Sequence, residues 1–81
     1  MLGMELAGLG RQEDAVHEFR RILAGDAAYL SAYYQGGQAL EKLGRLAEAR
    51  AMYRSGIEAC TRAGDAHALS EMQAALDALA E

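Results

Sequence analysis

The chain has no proline and no tryptophan, and only one cysteine and one phenylalanine in 81 residues. Phe19 and four tyrosines are its only aromatics, while alanine and leucine together supply 29 residues. That balance favours helix and excludes a β-sandwich, which draws on Val, Ile, Thr and aromatic side chains. Cys60 alone cannot form an internal disulfide, so nothing marks an oxidising compartment. No apolar run approaches the roughly 20 residues that span a bilayer. The apolar start, Met1 to Leu9, carries Glu5 and no basic leader region. A cytoplasmic protein is therefore expected. Basic residues are also few: eight Lys and Arg stand against twelve Asp and Glu, a net charge of -4. Strong electrostatic capture of nucleic acid or of an anionic membrane is excluded on that balance. At this length the chain makes one domain, near the size where a lone hydrophobic core is marginal.

What the sequence does have is internal repetition. Leu9-Gly10-Arg11, followed by Ala15 and Phe19, returns as Leu43-Gly44-Arg45, followed by Ala49 and Tyr53, each displaced by 34 residues. Gly3 and Leu6 return at the same offset as Gly37 and Leu40. A fixed period of this size marks a stack of similar supersecondary units.

Within each period the apolar residues step by three and four: Leu30, Tyr33, Gly37 and Leu40; Ala15, Phe19 and Ile22; Leu46, Ala49, Tyr53, Gly56, Ile57 and Cys60. This predicts helices at about 1–9, 12–24, 27–43, 46–63 and 66–80. The connectors are Gly10-Arg11, Gly25-Asp26, Gly44-Arg45 and Gly64-Asp65. In each, glycine is expected to take the left-handed conformation that ends a helix, with Asp26 or Asp65 as the next N-cap. Connections this short make neighbouring helices antiparallel.

A helix-turn-helix period of 34 residues with these residues at these places resembles the tetratricopeptide repeat, whose pattern is W-x2-L-G-x2-Y, then A-x3-F, then P. The chain reads Tyr33-x2-Gly36-Gly37-x2-Leu40, Leu43-Gly44, Ala49-x3-Tyr53, then Thr61. The preceding period reads Leu2-Gly3-x2-Leu6, Leu9-Gly10, Ala15-x3-Phe19, then Ala27. The similarity covers residues 1 to about 62 and is greatest to small stand-alone bacterial members. Gly37, Ala15 and Ala49 are the small residues that let two helix backbones approach, with Phe19 and Tyr53 beside them. Both signature prolines are missing, and Met1 falls partway along the first helix. The last helix is out of step. Leu69, Met72, Leu76 and Leu79 face the core only if the register shifts by two residues, so a longer turn is expected before it. It resembles the helix that caps such arrays.

The resemblance implies an all-α, right-handed α-solenoid fragment forming one domain over 1–81: a truncated repeat at 1–28, a second at 29–63 and a capping helix at 64–81. In that family the first helix of each pair lines a concave groove. Matching positions place Met4, Ala7, Ser31, Tyr34, Gln38 and Glu41 there, with His67, Ser70 and Ala74 from the last helix. Small, apolar and amide side chains with one exposed tyrosine suit an extended or helical peptide. None of these positions carries the lysine, arginine or asparagine with which family members grip a terminal carboxylate.

Catalytic chemistry has little to stand on. Ser70, His67 and Asp77 lie close in sequence, but Ser70 and Asp77 are two helical turns apart and no glycine elbow precedes Ser70. His67 and Glu71 have the spacing of half a metal site with no third ligand beside them. Cys60 sits on an apolar face and reads as a buried thiol. The arginines pair with acids as Glu41 to Arg45, Glu58 to Arg62 and Glu18 to Arg21, a charge-balanced outer face. No cofactor or metal is expected. The expected function is a non-enzymatic adaptor that binds a protein or peptide in its groove. The rival is a self-assembling module, since a first helix as short as 1–9, with Gly3 and Gly8 in it, would fray and uncover parts of Leu2, Leu6, Val16, Phe19 and Leu23, an edge for upstream sequence to cover or, as expected for these 81 residues, for a second chain in a homodimer.

Overall fold

The computed structural model describes the backbone of residues 2–79 and the side chains of residues 10–79. Four helices follow one another: α1 (Leu2–Gly25), α2 (Leu30–Lys42), α3 (Leu46–Ala63) and α4 (Ala66–Ala78). Each packs on its neighbours in chain order, α1 on α2, α2 on α3 and α3 on α4. This is an all-α helical repeat, as the 34-residue period requires.

Two of the four expected glycine turns are present. At Gly44 (φ 76°) and Gly64 (φ 71°) the backbone turns left-handed. The N–H of the residue after each glycine bonds back five residues, Arg45 to Leu40 at 2.9 Å and Asp65 to Cys60 at 3.0 Å, while the glycine N–H bonds Glu41 or Thr61. Carbonyls at both helix ends are thereby satisfied. Asp65 then caps α4 as expected, accepting from Ala68 N at 3.0 Å.

The other two turns differ. Gly25 is the last residue of α1 and is not left-handed. Asp26 does not cap a helix: its Oδ1 accepts from Ala28 N at 3.1 Å, closing a turn, and α2 begins only at Leu30 with Tyr29 at the N-cap and no side-chain cap. More consequentially, Gly10-Arg11 is not a connector. α1 runs unbroken through it, so the separate helices expected at 1–9 and 12–24 are one helix of 24 residues. A turn opens two helix ends with up to four unpaired backbone groups each, a cost that only packing offsets. The Gly44 turn has a full helix on either side to pack. At Gly10 the hydrogen-bond ladder continues instead, which leaves no peptide group unpaired.

The register shift of α4 is also real, but its origin is not a longer turn. α3 ends at Ala63, four residues later than the 34-residue offset from Gly25 would place it, and the connection to α4 is only Gly64-Asp65. The extra residues are absorbed into α3.

Two joined clusters form the core. Val16, Ala39, Leu40, Ala49 and Tyr53 make one, Tyr33, Ala59, Cys60 and Met72 the other, with Tyr34 and Met52 packed against both. Leu69, Leu76 and Leu79 of α4 pack on them as the shifted register requires, while Ser70 and Asp77 are exposed. Large side chains such as Leu40 and Met72 each contribute about 1.5–3 kcal/mol by leaving water. Gly37 faces the Tyr53 ring, and Gly56 faces Met72 and Tyr33, whose Cβ would stand 2.7 Å from an added methyl. The close approach at Gly37 is therefore of helix backbone to a ring rather than of two backbones.

Exposed ion pairs tie α1 to α3 and its N-cap residue outside this core: Arg45, the N-cap, to Glu13 at 3.1 Å and Arg20 to Glu48 at 3.4 Å. Glu18 and Arg21 pair weakly at 3.9 Å. The expected Glu41–Arg45 pair does not form, because Glu41 accepts the hydrogen bond of Tyr53 and Arg45 turns to Glu13. Nor, among the described residues, do Glu58 and Arg62 pair. Arg50 reaches across to the carbonyl of Leu79 at 3.2 Å, placing a cation at the end of α4 where the helix dipole is negative.

Candidate functional site

A depression of about 540 Å³ lies between the N-terminal ends of α2 and α4. Its position follows from the repeat itself. α2 and α4 are the first helices of successive pairs, both packed on α3, so their starts stand side by side with the connections before them. Leu30, Ala68 and Met72 form apolar lining, with Tyr29 and Tyr34 beside them, and Asp26, Asp65 and Glu71 add carboxylates. Ser31, Ala28 and His67 complete the wall.

Local hydrogen bonds hold these groups. Asp26 and Asp65 are each fixed by one backbone N–H on Oδ1. His67 Nε2 stands 3.2 Å from Glu71 Oε1, one helical turn on. Tyr34 is half-buried, its ring centroid 6.2 Å from that of Tyr53. Behind the depression Tyr33 donates to the carbonyl of Ala27 at 2.7 Å, holding the connection down against α2. Tyr29, by contrast, is 50% exposed.

Of the residues expected in a groove, Ser31, Tyr34 and His67 come together here. Gln38 is exposed further along α2. Glu41 lies on the same helix but is half-buried, its carboxylate taken by the Tyr53 hydroxyl. Ser70 and Ala74 fall instead on a separate depression of about 410 Å³, lined also by Leu69, Gln73 and Asp77. Met4 and Ala7 lie outside the described side chains. The exposed tyrosine is Tyr29 rather than Tyr34, since α2 starts three residues later than its pattern predicts and leaves Tyr29 in the connection. Asp26, Asp65 and Glu71 also line the depression. The sequence offers the two aspartates only as helix caps and Glu71 only as a neighbour of His67 one turn away.

Other reactive side chains are occupied or shielded. Asp77 accepts from Gln73 at 3.0 Å and His67 stands against Glu71, so Ser70, His67 and Asp77 form no relay. Among the described residues no three His, Cys, Asp or Glu side chains stand close enough to share a metal ion. Cys60 is buried, and burial together with the nearby Asp65 charge raises its thiol pKa. No described helix is long and apolar enough to cross a membrane.

Residues 30–62 match the sequence model of the tetratricopeptide repeat. The match begins at the first residue of α2 and ends one residue before the end of α3, so it covers one complete helical hairpin. No curated protein and no solved structure matches the chain. Repeats of this family generally mediate protein–protein interaction and are typically non-enzymatic.

Proposed function

The chain is a tetratricopeptide-like repeat protein, and we propose that it is an adaptor which seats a peptide or helix of a partner protein on the surface formed by α2 and α4. The depression between the starts of these helices carries the proposal. It has an apolar floor, two tyrosines and a few fixed polar groups, the mixture that orients a chain segment. Residues 1–28 serve as a truncated first repeat, 29–63 as the complete one and 64–81 as the cap. The footprint takes in Ser31, Tyr34 and His67 directly, with Gln38 and Glu41 farther along α2. Ser70 and Ala74 lie on the separate depression and outside this footprint. Selection of a random peptide library on the immobilised chain tests the reading: Tyr34→Ala and Gln38→Ala should weaken the selected peptides at least tenfold, and unchanged affinity in both rejects it.

A second reading, self-assembly, is supported by the continuity of α1 through Gly10-Arg11. The 34-residue match of Leu9-Gly10-Arg11 to Leu43-Gly44-Arg45 implies that residues 2–9 are able to fold back. A segment that continues outward is positioned to take that place on a second chain, giving a homodimer by exchange.

A further inference from the structure

The depression at the starts of α2 and α4 is lined by Asp26, Asp65 and Glu71 and by no lysine or arginine. Two helix N-termini also meet there, and each presents roughly half a positive charge. Three carboxylates outweigh them, and the α4 end is already answered by Asp65, which caps it. The net field is that of roughly two negative charges. An acidic ligand is therefore repelled, and a neutral apolar one leaves the carboxylates unmatched.

Aromatic and apolar side chains share the lining with these carboxylates. Tyr29 is half-exposed, and Tyr34 stands one turn into α2 from it. Leu30 and Met72 provide apolar surface. Carboxylates, tyrosine rings and aliphatic side chains in one depression match the three surfaces of a long cationic side chain: charge, planar face and methylene stem.

Building on the adaptor reading above, we infer that this depression is a subsite for an arginine side chain of the partner peptide. Guanidinium suits it better than ammonium, because it is planar, stacks on tyrosine and offers forked donors to carboxylate oxygens. Asp26 and Asp65 each have one oxygen engaged by a backbone N–H and a second to offer. Glu71 has one oxygen, Oε1, 3.2 Å from His67 Nε2 and a second to offer.

The test uses small probes on the whole chain. Nα-acetyl-arginine amide is titrated into isotopically labelled protein, with the uncharged isostere Nα-acetyl-citrulline amide in parallel and amide shifts recorded. Saturable shifts at Ser31, His67 and Ala68 are expected with arginine, at least threefold weaker with citrulline. They should weaken further between 50 and 500 mM salt, conditions chosen to span roughly a threefold change in screening length, and in Glu71→Gln. Equal shifts from arginine and citrulline overturn the arginine subsite. So does the absence of shifts with both. In either case the adaptor reading stands or falls separately on the peptides selected from the library, because Tyr34→Ala and Gln38→Ala act on them whether or not they contain arginine.

Discussion

Gly37 of α2 lies directly against the ring of Tyr53 on α3, and a methyl group added at Gly37 would overlap the ring carbons Cε1 and Cζ. Tyr53 is fully buried and its hydroxyl donates to Glu41 on α2, so the ring is held at both its face and its tip. That contact fixes how α2 packs on α3, and with it where the start of α2 stands relative to α4.

Overpacking at Gly37 follows from this geometry. Gly37→Leu is expected to cost about 1–3 kcal/mol or more, a large share of what so small a domain has. Gly25→Ala is the control, since nothing stands within 4 Å of the added methyl there. Circular dichroism melts should show a large drop for the first and little change for the second. An unchanged midpoint for Gly37→Leu removes the close-approach argument.

Alkaline pH should unsettle the same contact. Burial of the Tyr53 ring, and then its hydrogen bond to the Glu41 carboxylate, push the phenol pKa far above its ordinary value. The folded state thus holds this proton more tightly than the unfolded chain. Its contribution is complete below the ordinary tyrosine value, about 10, and is lost as pH rises above it. Tyr53→Phe loses the hydroxyl bond, about 1 kcal/mol at neutral pH, but should melt with a shallower decline above pH 10. Parallel declines in the two proteins would show that Tyr53 does not carry the effect.

Cys60 supplies a probe of opening. It is about 1% exposed and its thiol is pushed up by burial. Alkylation should be slow in buffer and accelerate in step with unfolding as urea is added. Rapid labelling of the native protein would contradict the packing of α3 on α4.

The unbroken α1 leads to an unusual substitution result. At Gly10 an added methyl meets nothing within 4 Å, so Gly10→Ala fits the continuous helix and favours it by about 1 kcal/mol. A left-handed turn at the same residue becomes costly. If chains exchange residues 2–9, the wild-type melting point rises with concentration, and Gly10→Ala strengthens that dependence. A midpoint identical at micromolar and near-millimolar concentration in both proteins excludes exchange.

Much of this architecture was legible in the residues. The 34-residue period and the three-four spacing locate α2, α3 and α4, and the apolar pattern of Leu69, Met72, Leu76 and Leu79 finds the shifted face of α4. Gly10 and Gly44 mark the limit of such reading. They sit in the same Leu-Gly-Arg triplet, yet only Gly44 turns, because packing around a turn, and not the triplet itself, decides whether the helix breaks. Asp26 and Asp65 diverge in a similar way. Both follow a glycine, but Asp65 caps a helix at once while Asp26 closes an extra turn that delays α2 to Leu30 and carries Tyr29 outward. The candidate site is correspondingly half-visible: that Ser31, Tyr34 and His67 share one depression follows from helix position, whereas the presence there of Tyr29, Asp26 and Asp65 depends on the shape of the connections.

The most direct test of the account is a footprint. A peptide selected from a random library on the immobilised chain, titrated into isotopically labelled protein, should produce its largest amide shifts at Ser31, Tyr34 and Gln38 on α2 and at His67 and Ala68 on α4. Shifts centred instead on the opposite helices, at Arg20 of α1 and Arg54 of α3, would place binding on the outer face and contradict it.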